Sequence, residues 1–81
     1  MSNNKGKSIS GFLSAHLKNY FTIHDGEIPD SGLHPLIISE VEKTLIQETM
    51  EYTNGTQAKA AQILGISRNT LRKKIEEYED A

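Results

Sequence analysis

The sequence contains no cysteine. That excludes a disulfide and any cysteine-ligated zinc site, and it suits a reducing compartment. No apolar run approaches the roughly 20 residues needed to cross a bilayer. The polar start "MSNNKGKS" lacks the apolar stretch of a signal peptide. A cytoplasmic protein without membrane contact is therefore expected. No alternating β-pattern and no internal repeat occurs. No serine, histidine and acid are arranged as nucleophile and base, and no glycine-rich loop offers to cradle phosphate. An enzyme is not expected. His16, His24 and His34 follow neither an HExxH nor a Cys/His pattern, so they read as core or surface histidines and no metal or cofactor is expected. Asp25, Glu27 and Asp30 lack the spacing and the terminal glutamate of a calcium loop. A final absence is local. Between residues 56 and 75 there is no acidic residue at all.

That last gap exposes the main feature of the chain. The 81 residues carry a net charge of −2. Residues 1–55 hold four lysines against seven acids. Residues 56–75 hold Lys59, Arg68, Arg72, Lys73 and Lys74, and residues 76–81 hold four acids. A local patch acts almost alone when screening falls off over ~8 Å. The distribution therefore matters more than the sum. Length fixes a single domain with a thin core, for which oligomerisation is the natural support.

The spacing predicts an all-α chain of four helices. Residues 1–7 read as a disordered arm. Ser8 or Ser10 then caps a first helix with Ile9, Phe12, Leu13, Leu17, Tyr20 and Phe21 on one stripe. Tyr20 and Phe21, spaced with Leu17, are expected in the core. "HDGEIPDSG" at 24–32 is a loop. A second helix runs from about Leu33 to Thr53, with Pro35 in its first turn, where the missing N–H costs nothing. Its apolar residues fall on two faces. Ile37, Val41 and Leu45 form one, while Ile38, Leu45, Thr49 and Met50 wrap to another. A helix apolar on two sides needs cover on both, and a chain this small has little to spare, so a partner chain is expected.

"NG" at 54–55 ends that helix, with Gly55 expected as the left-handed residue. Thr56 is expected to cap a short third helix through Leu64. Gly65 makes a turn that a Cβ would strain. Ser67 caps a fourth helix to about Tyr78. Ala58 and Ala61 are small enough for close helix approach, and Leu64, Ile66, Leu71 and Ile75 lock the angle. Two short helices, a tight glycine turn and a cationic second helix make a helix-turn-helix. With Leu71, Ile75 and Tyr78 facing inward, Arg68, Asn69, Arg72 and Lys73 face outward and Lys74 lies at the edge. Arginine suits guanine and asparagine suits adenine in the major groove.

"NGTQAKAAQILGISRNTLRKKI" resembles the Fis-type helix-turn-helix, shared by the bacterial nucleoid protein Fis and the C-terminal domains of NtrC-type enhancer-binding regulators. "LHPLIISEVEKTLIQETMEYTNG" and "HLKNYF" resemble the preceding Fis helices, so the likeness spans about residues 8–78. It implies one Fis-type domain at 8–81, with dimerisation helices at 8–53 and the helix-turn-helix at 56–78. It also implies an intertwined homodimer that presents two reading helices to double-stranded DNA and bends it, with Phe12, Leu13, Leu17, Ile37, Val41 and Leu45 at the dimer interface. Ser67 and Arg68 match the base-proximal pair. Thr70, Arg72 and Lys73 match backbone-contacting positions, and Thr56, Gln57 and Lys59 match phosphate contacts. With Asn69 and Lys74 these complete the expected DNA surface. RNA polymerase is a further partner that a nucleoid-associated regulator of this kind implies.

Three departures from Fis stand out. Ser67 replaces an asparagine, Asn69 replaces a glycine but matches the "RNTL" of NtrC-type domains, and "EEYEDA" replaces a basic end. The seven-residue arm is too short for the β-hairpin by which Fis activates DNA invertases, so that activity is not expected. Two other readings stay open. The cationic run is a solvated helix face, or the chain is an interaction module that docks an acidic protein. Within the DNA class, a free-standing Fis-like protein is favoured over the DNA-binding end of a larger NtrC-type activator, because no receiver or ATPase segment is present.

Overall fold

The computed structural model describes residues 8–27 and 29–79. The expected arm at 1–7 lies outside them, as do Ile28, Asp80 and Ala81. Four helices occur among the described residues, α1 (Ile9–His24), α2 (Leu33–Tyr52), α3 (Gln57–Leu64) and α4 (Arg68–Glu79), and no strand. The chain divides into two compact units, Met1–Gly32 and Leu33–Ala81.

In the first unit Ser8 caps α1, its hydroxyl oxygen accepting from the Gly11 N–H at 3.1 Å. The helix stops at Asp25, which adopts the left-handed region (φ 47°) and donates its N–H to the Phe21 carbonyl at 3.0 Å. None of the residues of α1 is buried. Leu13, Leu17 and Tyr20 are half-buried, and Phe12 is 65% exposed. Phe21, expected in the core, stands half-exposed and meets the Tyr20 ring edge-on at 6.0 Å. The stripe is real, but helical spacing says which side is apolar and not what covers it.

The second unit holds the core. Pro35 sits in the first turn of α2, as its ring allows. The end of α2 differs in detail from the expectation. Asn54, not Gly55, takes the first left-handed position (φ 56°), and Gly55 follows at φ 84°. The Asn54 N–H donates to the Glu51 carbonyl at 3.1 Å and the Gly55 N–H to the Met50 carbonyl at 2.8 Å. This paired closure needs its left-handed residue one place earlier, and asparagine tolerates it. Buried Thr53 stitches the corner, its hydroxyl shared between the Met50 carbonyl at 3.2 Å and the Thr56 carbonyl at 3.3 Å.

The core is Ile46 from α2, Ala60 and Ala61 from α3, and Leu71 from α4. Met50, Leu64, Ile66, Ile75 and Tyr78 pack around it. Ala60 replaces Ala58 as the small partner of Ala61. Ala58 is exposed and Ala60 is fully buried. Ala58 and Ala60 are two positions apart, a separation that puts them on different sides of a helix. Leu71 is 0% exposed and anchors α4, a burial worth about 1.5–3 kcal/mol. The two faces of α2 sort differently from the expectation. Ile46, Thr49 and Met50 turn inward, whereas Ile38, Val41, Leu45 and Tyr52 form the exposed side and Ile37 is half-buried.

Candidate nucleic-acid interface

The geometry of the candidate surface begins with the turn. Gly65 lies directly past α3 at φ 77°. Its N–H donates to the Ala61 carbonyl at 2.9 Å, and the Ile66 N–H reaches the same carbonyl at 3.1 Å. A Cβ at Gly65 would meet no atom within 4 Å, so the demand for glycine comes from the backbone angle and not from crowding. One residue beyond Ile66, Ser67 starts α4. Its hydroxyl oxygen accepts from the Thr70 N–H at 3.0 Å and the hydroxyl donates to the Thr70 hydroxyl at 2.8 Å. Ser67 and Thr70 therefore close the helix start on each other. Thr56 is the N-cap residue of α3, as expected, although its side chain makes no capping bond. The corner is closed instead by Thr53, and the Thr56 hydroxyl stays free of that duty.

Burying Leu71 decides the rest of α4. Arg68, Asn69, Thr70, Arg72 and Lys73 are all exposed, while Ile75 and Tyr78 are half-buried against the core. Arg72 is not unattached. It donates to the Asn69 side-chain oxygen and stands 3.5 Å from a carboxylate oxygen of Glu76, one turn on. In the same unit Thr56 and Lys59 are exposed and Gln57 is half-buried at the start of α3. So α3 and α4, packed on each other, carry with Thr56 and Ser67, which precede them, nine of the ten expected DNA-facing residues.

The tenth, Lys74, is placed differently. Its ammonium stands 3.0 Å from a carboxylate oxygen of Glu42 on α2. The other carboxylate oxygen of Glu42 accepts from the Tyr78 hydroxyl. That hydroxyl, and then the Lys74 ammonium, hold the Glu42 carboxyl below the usual carboxylate range. The same bond to Glu42 pushes the Tyr78 phenol up to about 12. Glu42 and the polar end of Tyr78 are contacts that sequence reasoning missed. Tyr78 was legible as an inward residue, but the acid it would meet lies 36 positions away and no local pattern names it.

The residues expected at a dimer interface are placed as follows. On α1, Phe12 is exposed, and Leu13 and Leu17 are half-buried. On α2, Ile37 is half-buried, Val41 is 45% exposed and Leu45 is 52% exposed. Two apolar residues absent from that expectation share the open side of α2: Ile38, and Tyr52 at 80% exposure. No helix among the described residues is long and apolar enough to cross a membrane.

Residues 37–78, which contain α3, the turn, all but the last residue of α4 and most of α2, match the family model of the bacterial regulatory proteins of the Fis family. The chain belongs to the Fis family. It is 43% identical over 72 residues to the DNA-binding protein Fis of Mannheimia haemolytica, covering 89% of this chain and 72% of that one. The Fis protein of Actinobacillus succinogenes is 48% identical over the same shares. The DNA-binding transcriptional regulator NtrC of Azospirillum brasilense is 44% identical over 75 residues, which are 93% of this chain but 16% of that regulator.

Proposed function

We propose that this Fis-family chain is a sequence-preferring double-stranded DNA-binding protein that acts as a homodimer and regulates transcription. The observation that carries the reading is the division of α4. One side is anchored by fully buried Leu71, and the other exposes Arg68, Asn69, Thr70, Arg72 and Lys73. An element held this firmly on one side and cationic on the other fits a major groove. Arg68 and Asn69 at the start of α4 read base edges, and Ser67 holds that start in register. Thr70, Arg72 and Lys73 meet the backbone, together with Thr56, Gln57 and Lys59 from α3. The open apolar sides of α1 and α2 meet a second copy. In such a dimer the two reading helices serve half-sites about one helical turn, roughly 34–36 Å, apart. Any DNA bend, and any contact with RNA polymerase, belongs to the same proposal.

The test is an electrophoretic shift with a randomised duplex pool, followed by sequencing of the retained duplexes. Enrichment of a site with two-fold symmetry is expected. Retention without enrichment would reduce the reading to non-specific binding, and no retention would remove it. A second reading, the DNA-binding end of an NtrC-type activator, is favoured by the 93% coverage of this chain by that relative and by "RNTL" at 68–71. The length of the native reading frame separates the two.

A further inference from the structure

The surface described above has one cation that points the other way. Lys74 follows Lys73 in sequence, yet its ammonium is committed to Glu42 at 3.0 Å and its side chain is 32% exposed. Glu42 is committed twice, to Lys74 on one oxygen and to the Tyr78 hydroxyl on the other. Both contacts run from α2 to α4 and bypass α3. Lys74 and Tyr78 are four apart, so one acid on α2 clamps a single side of α4 over one turn. The partners are all half-buried, which weakens the competition from water and salt. Arg72 offers a contrast. Its carboxylate partner Glu76 is on its own helix, at 3.5 Å and well exposed, so that pair yields readily to a phosphate.

We infer that Glu42 is a positioning and restraining residue of the DNA-binding surface: it holds α4 against α2 through Tyr78 and withholds the charge of Lys74 from DNA phosphates. This rests on the DNA-binding reading. It divides the cationic run at 72–74 into two classes that the sequence presents as one. Arg72 and Lys73 are spent on DNA, and Lys74 is spent inside the molecule. An acid at position 42 then sets how much non-specific affinity the chain has, without touching a base.

Counterion release gives the readout, because each phosphate neutralised adds to the salt slope of binding whatever the sequence. Binding of the full chain to a selected duplex and to a scrambled duplex is measured between 50 and 200 mM salt for wild type, Glu42→Gln, Tyr78→Phe and the double variant Glu42→Gln with Lys74→Ala. Glutamine keeps the shape of Glu42 and removes its charge, so Lys74 is freed. The expected result for Glu42→Gln is a slope steeper by about 0.9 per chain and tighter binding of both duplexes at low salt. Tyr78→Phe keeps the ion pair and is expected to keep the wild-type slope. The double variant is expected to lose the steepening. A wild-type slope in Glu42→Gln, or a steepening that survives in the double variant, overturns the inference while leaving DNA binding intact. Absence of duplex binding by wild type removes both. A measurement on wild type covers the case in which Glu42→Gln does not fold. On saturation with duplex the side-chain ammonium resonance of Lys74 is expected to stay in place while those of Lys59 and Lys73 move. A Lys74 shift as large as that of Lys73 overturns the inference.

Discussion

Arg68 and Lys73 are both exposed on α4, five positions apart, and the proposed function gives them different work. Arg68→Ala is expected to lose about 1–3 kcal/mol of binding and to relax the preference at one base of each half-site. Lys73→Ala is expected to weaken all duplexes about equally and to lower the salt slope. A panel of single-base duplex variants checks both. If Arg68→Ala ranks the sites as wild type does, base reading by Arg68 is wrong. Gly65 works through its backbone alone, since φ is 77° and the space beside it is open. Gly65→Ala is therefore expected to cost about 1–2 kcal/mol of stability, and Gly65→Asn less. Thermal melting by circular dichroism measures the difference. Equal melting of all three would mean that the turn tolerates a Cβ in the left-handed region.

At the scale of elements, α2 serves two masters. Its inner side gives Ile46 to the core, and its outer side leaves Val41 and Leu45 open. Val41→Asp is therefore expected to spare the packing of Ile46 on Leu71 but to break association. In a covered interface the new charge would cost about 3 kcal/mol or more. Sedimentation at low micromolar concentration should find wild type as a dimer and Val41→Asp as a smaller species. A variant that sediments like wild type would rule out this side of α2 as the interface. The clamp between α2 and α4 has its own signature. The Tyr78 phenol is raised to about 12 from 10.0. A raised group contributes stability that is full below its unfolded value and is lost as pH rises toward the folded one, here between 10.0 and about 12. Wild type is thus expected to lose more melting temperature across that window than Tyr78→Phe. Parallel losses would show that the hydroxyl bond adds nothing. Glu42 has the opposite sense. Its depressed carboxyl contributes above the ordinary carboxylate range, and that contribution is lost in acid.

For the whole molecule the deciding quantity is the field around the reading surface. Glu76, Glu77 and Glu79 fill the end of α4, and Asp80 follows outside the described residues. Their charge repels every duplex alike, over a screening distance of ~8 Å. Replacing the three glutamates with Gln and Asp80 with Asn is expected to tighten binding to all duplexes at low salt. The gain should shrink toward high salt and leave the ranking of sites unchanged. Glu76 adds a local part to this, because its loss also releases Arg72. Unchanged low-salt affinity in a folded variant would assign the acids to a protein contact instead.

Sequence by itself determined the elements and the orientation of α4. Helical spacing, the "GIS" turn and the inward row Leu71, Ile75 and Tyr78 are local signals, because a helix turns a fixed angle per residue and each turn type accepts few residues. The outward set from Arg68 to Lys73 follows from that row without further information. Local spacing could not say which apolar side of α2 is covered within the chain, since both sides carry the same residue types. It took the packing of Ile46 against Ala60, Ala61 and Leu71 to separate them. Nor could it choose Ala60 over Ala58, or place Asn54 in the left-handed region ahead of Gly55, because those depend on how two helices meet. The partition of the cations was equally out of reach. Lys73 and Lys74 are identical neighbours in sequence, and only the arrival of Glu42 from a distant helix makes one of them structural. Ion pairs across a fold are long-range contacts, set by where the chain returns to itself, and it is the tertiary structure that decides them.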